Sequence, residues 1–201
     1  MTAQFLIRTP IAPAAILANR TTASLEAAVG GLSQTGKMPW LSSSFPAQRC
    51  KVGAKLRAIP GSVCSTCYAM KGQYTLPTVF PAQEKRHQLM VADLGNWADN
   101  MATLIAGKAS RQPEHKRYFR IHDAGDLQSL EHLRAIAAIA LAVPSVRFWL
   151  PTKEKAIVKA FHRAHGDFPH NLVVRLSGAM IGDPAPSYPT TSTVSTDTAQ
   201  V

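Results

Sequence analysis

From Ala82 to Gly107 the apolar positions Leu89, Met90, Leu94, Trp97, Met101, Leu104 and Ile105 recur at three-and-four spacing. That period predicts an amphipathic helix of about six turns. Downstream the period changes to strand, helix, strand, helix, strand. Arg117–His122 reads as a strand and passes through Asp123-Ala124-Gly125-Asp126 into a helix carrying Leu130, Leu133, Ile136, Ala137, Ala140 and Leu141. Ser129 or Asp126 would cap that helix. A second strand, Val146–Leu150, leads through Pro151-Thr152-Lys153-Glu154 to a helix with Ile157, Val158 and Phe161, and a third strand spans Leu172–Leu176. Connections this short between alternating elements predict βαβ units on a parallel sheet. The expected fold class is α/β, either a partial (β/α) barrel or a small parallel sheet, because the units are too few for a full eightfold barrel.

The remaining segments are less patterned. Residues 1–36 form an N-terminal segment with one short helix predicted at Thr22–Val29. Residues 37–183 form the α/β domain, and its first part, 37–81, is rich in Pro, Gly and Ser and lacks sustained periodicity. A loop this long inside a domain is usually functional or held by a ligand. After Pro184 the tail, 184–201, turns to Pro, Ser and Thr, shows no core pattern and is expected to be loosely held. Arg8, Pro10 and Pro13 interrupt the apolar stretch Phe5–Ala18, and no basic region precedes it, so neither an export signal nor a membrane span is read there.

Composition changes this picture in two ways. With 201 residues, 46% of them hydrophobic and 17% charged, the chain belongs among globular proteins and can bury one substantial core. Its net charge is +10, and no Asp or Glu occurs from Ala27 to Gln83, where Lys37, Arg49, Lys51, Lys55, Arg57 and Lys71 all lie. Such one-signed surfaces attract polyanions, so nucleic acid is the expected partner and a membrane is not. Basic neighbours also lower thiol pKa values and favour the metal-binding thiolate.

That acid-free stretch holds the three cysteines of the chain, Cys50, Cys64 and Cys67, in a C-x13-C-x2-C pattern. Two residues between Cys64 and Cys67 let both sulfurs point into one turn, as in metal and iron–sulfur sites. Three clustered thiols suit ligation in a reducing compartment better than a disulfide framework. If the metal is zinc, His87 or His122 would be the fourth ligand. If it is a [4Fe–4S] cluster, one iron stays open. Tyr68, Tyr74, Trp40 and Phe45 flank the thiols and would either stack on unpaired bases or shield a metal from water.

In parallel α/β proteins, reactive groups gather beyond the carboxyl ends of the strands. The predicted strands exit into His122, Asp123 and Asp126, then Thr152, Lys153 and Glu154, then Arg175 and Ser177. Strand alternation places His122 and Asp123 on opposite faces, and a turn at Gly125 would return Asp126 toward His122, where a carboxylate can orient an imidazole. The bland alternative is that Asp126 caps a helix and His122 is a core residue. His162 and His165 are expected on a solvated helix face.

The motifs around Lys37-Met38-Pro39, Cys50–Leu56, Pro60–Gly72, His122–Leu127 and Phe148–Glu154, in this order, resemble a bacteriophage family catalogued as gene product 88. The Cys-x-x-Cys-Tyr-Ala element is also similar to the three-cysteine motif of a phage-associated group related to radical S-adenosylmethionine enzymes, which use partial or full α/β barrels. That resemblance implies a [4Fe–4S] cluster on Cys50, Cys64 and Cys67, with S-adenosylmethionine or substrate at His122, Asp123, Asp126, Lys153 and Glu154. Gly125, Thr152 and Ser177 would contact the cofactor. The usual motif has three residues between its first two cysteines, whereas this chain has thirteen. Two alternatives are a zinc-dependent base-exchanging enzyme with Asp123 or Asp126 as nucleophile, and a non-catalytic, zinc-stabilised nucleic-acid-binding protein. In each case the expected location is the cytoplasm of an infected host cell.

Overall fold

The computed structural model describes residues 8–36 and 38–195. Six α-helices, α1 (Thr22–Val29), α2 (Val52–Arg57), α3 (Phe80–Ala92), α4 (Leu94–Ala109), α5 (Leu130–Ala142) and α6 (Lys155–His165), accompany four strands. The strands are β1 (Tyr118–Arg120), β2 (Arg147–Thr152), β3 (Leu172–Ile181) and β4 (Thr191–Val194). They form one sheet in the order β1-β2-β3-β4, parallel throughout. This is the α/β class that the alternating periods predict.

Residues 41–45 extend the sheet outside β1. Arg120 donates its backbone N–H to Leu41 O at 3.2 Å, and Arg120 O accepts from Ser43 N at 3.1 Å. Phe45 N then bonds Ala124 O at 2.9 Å. The cysteine-bearing stretch therefore leaves the sheet where a strand-to-helix loop leaves a βα unit, at the end where Asp123 and Asp126 emerge.

The core lies between the helices and one face of the sheet. Phe119, Phe148, Leu150, Leu172, Val174 and Leu176 from the strands pack with Leu104, Ile105, Leu133, Ile136 and Phe161 from the helices. Asn171 fixes the entry to β2 and β3, because its Nδ2 donates to the carbonyls of Ala140, Val143 and Val146 at 2.9, 3.2 and 3.0 Å. Residues 8–36 are part of the same body. Ile11 and Ala14 pack on the core, and Ala15 N bonds Asp99 Oδ1 at 2.8 Å. Of the apolar stretch Phe5–Ala18, Phe5 to Ile7 lie outside the described residues, as does Lys37.

Several expectations are corrected. The helix predicted over 82–107 is two helices, broken at Asp93, which is extended (φ −152°, ψ 90°) and whose Oδ1 accepts from Asn96 N at 3.0 Å to start α4. A side chain that caps competes with helix continuation, and apolar spacing does not register that competition. The loop 37–81 contains α2 and short 3₁₀ turns at Ala47–Arg49, Tyr68–Met70 and Gly72–Thr75. Strand β1 stops at Arg120 because His122 takes the left-handed conformation (φ 63°), so strand alternation does not govern His122 and Asp123. Arg175 and Ser177 lie inside β3, which runs on to Ile181. The tail is not loosely held as far as Ser195: Leu176 N bonds Thr190 O at 3.0 Å, β4 pairs with β3, and Tyr188 packs against the core. Residues 196–201 lie outside the described residues.

Candidate functional site

Cys50, Cys64 and Cys67, separated in sequence, line one cavity of about 410 Å³ together with His122, Asp123, Gly125, Asp126, Thr152, Lys153 and Ser177. The loop that carries the thiols has only a small apolar cluster of its own, Ala47, Ala69 and Ala124 with Cys50, Cys67, Met70 and Tyr74 packed against it. Gly53 gives two thiols room to approach. A Cβ there would stand 3.0 Å from Cys50 Cβ, 3.6 Å from Cys64 Sγ and 3.7 Å from Cys50 Sγ.

Burial pushes the Cys50 thiol up to about 12, reinforced by Asp126 and by the neighbouring thiols of Cys67 and Cys64, against the pull of Arg57. Cys64 is raised as well, by burial first, while Lys153 and Arg57 oppose it. The expected lowering by basic neighbours is thus overridden by desolvation. Three of the cations have partners of their own: Arg49 pairs with Glu84, Lys51 Nζ reaches Gln128 O at 2.5 Å, and Arg57 Nη2 bonds Ala47 O at 3.0 Å.

Asp126 is a staple between the exits of β1 and β2. Its Oδ1 accepts from Leu127 N at 2.7 Å and Thr152 Oγ1 at 2.5 Å, and its Oδ2 accepts from Lys153 N at 2.9 Å. Burial nevertheless raises its pKa to about 6, outweighing those donors. It neither caps α5, which Ser129 does by accepting from His132 N at 3.1 Å, nor hydrogen-bonds His122. Glu154 is outside the cavity lining. Its Oε1 accepts from Val52 N at 2.8 Å and so holds the first turn of α2, two residues after Cys50. Lys153 Nζ donates to Gly178 O at 2.6 Å, and Ser177 Oγ accepts from Ser192 Oγ at 3.1 Å, linking β3 to β4. Gly125, at φ 85°, leaves space for Phe45, whose Cβ and O would lie 2.8 Å from any added Cβ.

His122 is buried with both ring nitrogens unpartnered, packed at tilted and edge-on angles against Phe45 and His132 at centroid distances of 5.2 and 5.3 Å. Burial drives its pKa well below the ordinary value, and that of His132 down to about 3. His87 packs edge-on to Phe45 and is not among the residues lining the thiol cavity, which removes it as a fourth ligand in this arrangement. Trp40 and Phe45 are core residues and present no face to a base. Tyr68 and Tyr74 are at the site: both hydroxyls bond Asp123, Tyr68 to its carbonyl and Tyr74 to Oδ2 at 3.4 Å. Asp123 Oδ1 has no partner, and burial raises this carboxyl.

Asp123, Tyr68 and Arg120 also line a second cavity of about 1040 Å³, shared with Arg86, Gln83, Tyr74 and Trp149. Ligand pockets commonly enclose about 300–1,000 Å³, so this one has room for a substantial substrate beside the thiols. The model of one protein family, gene product 88, matches residues 16–199. The chain belongs to that family. No curated protein and no solved structure matches it.

Among the described residues of this gene product 88 protein, no group of three or more His, Cys, Asp and Glu is arranged to hold a metal ion. Cys50, Cys64 and Cys67 are nonetheless ligands of the kind an iron–sulfur cluster takes, all three line the one cavity, and Gly53 leaves room beside two of their sulfurs. His162 and His165, expected to be solvated, are engaged: His162 bridges Gly166 O and Tyr188 Oη at 2.8 and 3.0 Å, and His165 Nδ1 meets Thr9 O at 2.6 Å. Sequence reasoning missed Arg120, Gln83, Arg86 and Trp149 as wall residues. Each sits in an ordinary helix or strand pattern, and only a gap in the tertiary packing exposes it. No helix among the described residues is long and apolar enough to cross a membrane.

Proposed function

We propose that this gene product 88 protein is an iron–sulfur-dependent enzyme of the radical S-adenosylmethionine type, acting on nucleic acid or a nucleotide-derived substrate. One observation carries the reading: Cys50 and the Cys64–Cys67 pair, with thirteen residues between Cys50 and Cys64, line the same cavity as the groups leaving β1 and β2. Cys50, Cys64 and Cys67 would hold the cluster. Such a cluster with S-adenosylmethionine supplies single-electron chemistry that side chains lack.

The chain's own groups divide by task. Asp123 and Lys153 face the cavity and suit binding and proton handling. Asp126, Thr152 and Glu154 keep the β2 exit and the start of α2 in fixed relation. His122 stays neutral and can accept or donate a hydrogen bond without carrying charge. Substrate would enter the larger cavity, with Tyr68, Arg120 and Asp123 between it and the thiols. Both oxygens of Asp126 already accept hydrogen bonds, which disfavours it as the nucleophile of a zinc-dependent base exchange. With raised pKa values, the Cys50 and Cys64 thiols must give up protons to any metal centre that binds them, so binding there would release protons and strengthen as pH rises.

Anaerobic purification with iron, sulfide and zinc analysis and a visible spectrum tests the reading. Iron and sulfide with broad visible absorption are expected. A colourless protein with one zinc per chain would end the radical version and leave the zinc-stabilised binding protein.

A further inference from the structure

A parallel sheet is ordinarily covered on both faces. Here the helices cover one, and on the other Tyr68 and Met38 stand over Arg120 and Trp149 across the larger cavity while Arg147, Val173 and Arg175 are left bare. Register pairs Tyr118 with Arg147, Arg120 with Trp149, Trp149 with Val173 and Pro151 with Arg175, which sets all of these side chains on the face opposite the core residues Phe119, Phe148, Leu150 and Val174. Arg147 and Arg175 are exposed, and Val173, 47% exposed, is bare for a mid-sheet valine. The arginines and rings are interleaved: the Arg147 guanidinium lies 5.5 Å from the Tyr118 ring centroid and its Nη1 donates to Tyr118 Oη at 2.9 Å, while Arg120 lies 4.6 Å over Trp149. Each of β1, β2 and β3 contributes one arginine, and none of the three contains an acid.

We infer that this open face is a platform for single-stranded nucleic acid. Aromatic faces give unpaired bases a sequence-tolerant stacking surface, and arginines beside them neutralise the backbone and stack as cations. A protein of net charge +10 favours such a partner over a second copy of itself, which would set arginine against arginine. Duplex bases are paired and stacked inward and cannot use the rings. Arg120 and Trp149 belong also to the wall of the larger cavity, and Arg120 to the thiol cavity, so a strand on the platform runs past the candidate centre. The inference deepens the nucleic-acid half of the proposed function and does not depend on what the thiols hold.

The test is fluorescence anisotropy of the purified full chain with labelled single strands, oligo(U) and oligo(dT), and with a labelled duplex of equal length, across a salt series. Single strands should bind more tightly than duplex, and the two single strands report whether a 2′-hydroxyl matters. Trp149→Ala should weaken single-strand binding about tenfold, the scale of one lost stacking contact. Arg175→Ala, on an exposed position that leaves the melting temperature unchanged, should reduce the salt slope by about 0.7. Unaltered binding by Arg175→Ala, duplex binding as tight as single-strand binding, or no binding at all would overturn the platform. So would light scattering that finds a dimer dissociated by Arg175→Glu, since a second copy would then cover the face. Metal analysis is unaffected by any of these results, so either reading can fail alone.

Discussion

Desolvation decides the chemistry of individual residues in this protein more than charge does. His132 illustrates the sign. Its imidazole is held neutral, with a pKa of about 3 against 6.5 in the ordinary state. Between those values the unfolded chain binds a proton that the folded chain refuses, so stability falls as pH drops from 6.5 toward 3. His132→Phe should flatten that decline by up to about 1.4 kcal/mol per pH unit, read from urea unfolding at stepped pH, and an unchanged slope would contradict the buried neutral ring. Gly53 offers a second test. Alanine gains about 1 kcal/mol of helix propensity but places a Cβ 3.0 Å from Cys50 Cβ and within 4 Å of two sulfurs. On the proposed cluster, Gly53→Ala should therefore change the melting temperature little while lowering iron per chain, and iron content equal to that of the unaltered protein would refute the cradle. The thiols were legible from their spacing. The bonds that Asp126 accepts from Thr152 and Lys153 were not, because those donors are brought in by β2 and its exit, and the left-handed backbone at His122 carried no signal in an ordinary strand pattern.

At the scale of elements, the cysteine loop is anchored by what β2 delivers to it. Glu154 ends β2's exit and satisfies Val52 N, an orphan donor of the first turn of α2. Glu154→Ala removes the buried acceptor of Val52 N and should cost about 1–3 kcal/mol, with, on the proposed cluster, a parallel loss of bound metal. Retention of both, measured by denaturation and metal analysis, would show that α2 does not need this contact. Periodicity located α5, α6 and the strands β1, β2 and β3 because their apolar stripes face one core, and it missed β4, whose residues carry no such stripe. It merged α3 with α4 because the same stripe continues on both sides of Asp93, and it passed over α2, whose six residues include a glycine that weakens any helical signal.

For the whole molecule, strand order follows chain order, so each exit loop adds its groups to one rim. The segment from Tyr188 to Val194 closes the far edge. Ending the chain after Pro184 removes the bonds from Leu176 N to Thr190 O and from Thr190 Oγ1 to Val174 O, besides the packing of Tyr188. That loss should amount to about 2 kcal/mol or more and lower the melting temperature by roughly 4–8 °C; an unshifted melt would mean that β4 contributes nothing. By itself the sequence determined what is local: the alternation of helix and strand, the parallel class, the clustered thiols, the excess of positive charge and the family that the motifs resemble. Hydrophobic period and residue spacing are properties of neighbours along the chain. Only the tertiary structure decided that the thiols and strand-end groups share a cavity, that burial overrides the cations around the cysteines, that the tail becomes a strand and that one sheet face is left open. Those outcomes depend on which surfaces meet and which are kept from water, and residues distant in sequence settle them together.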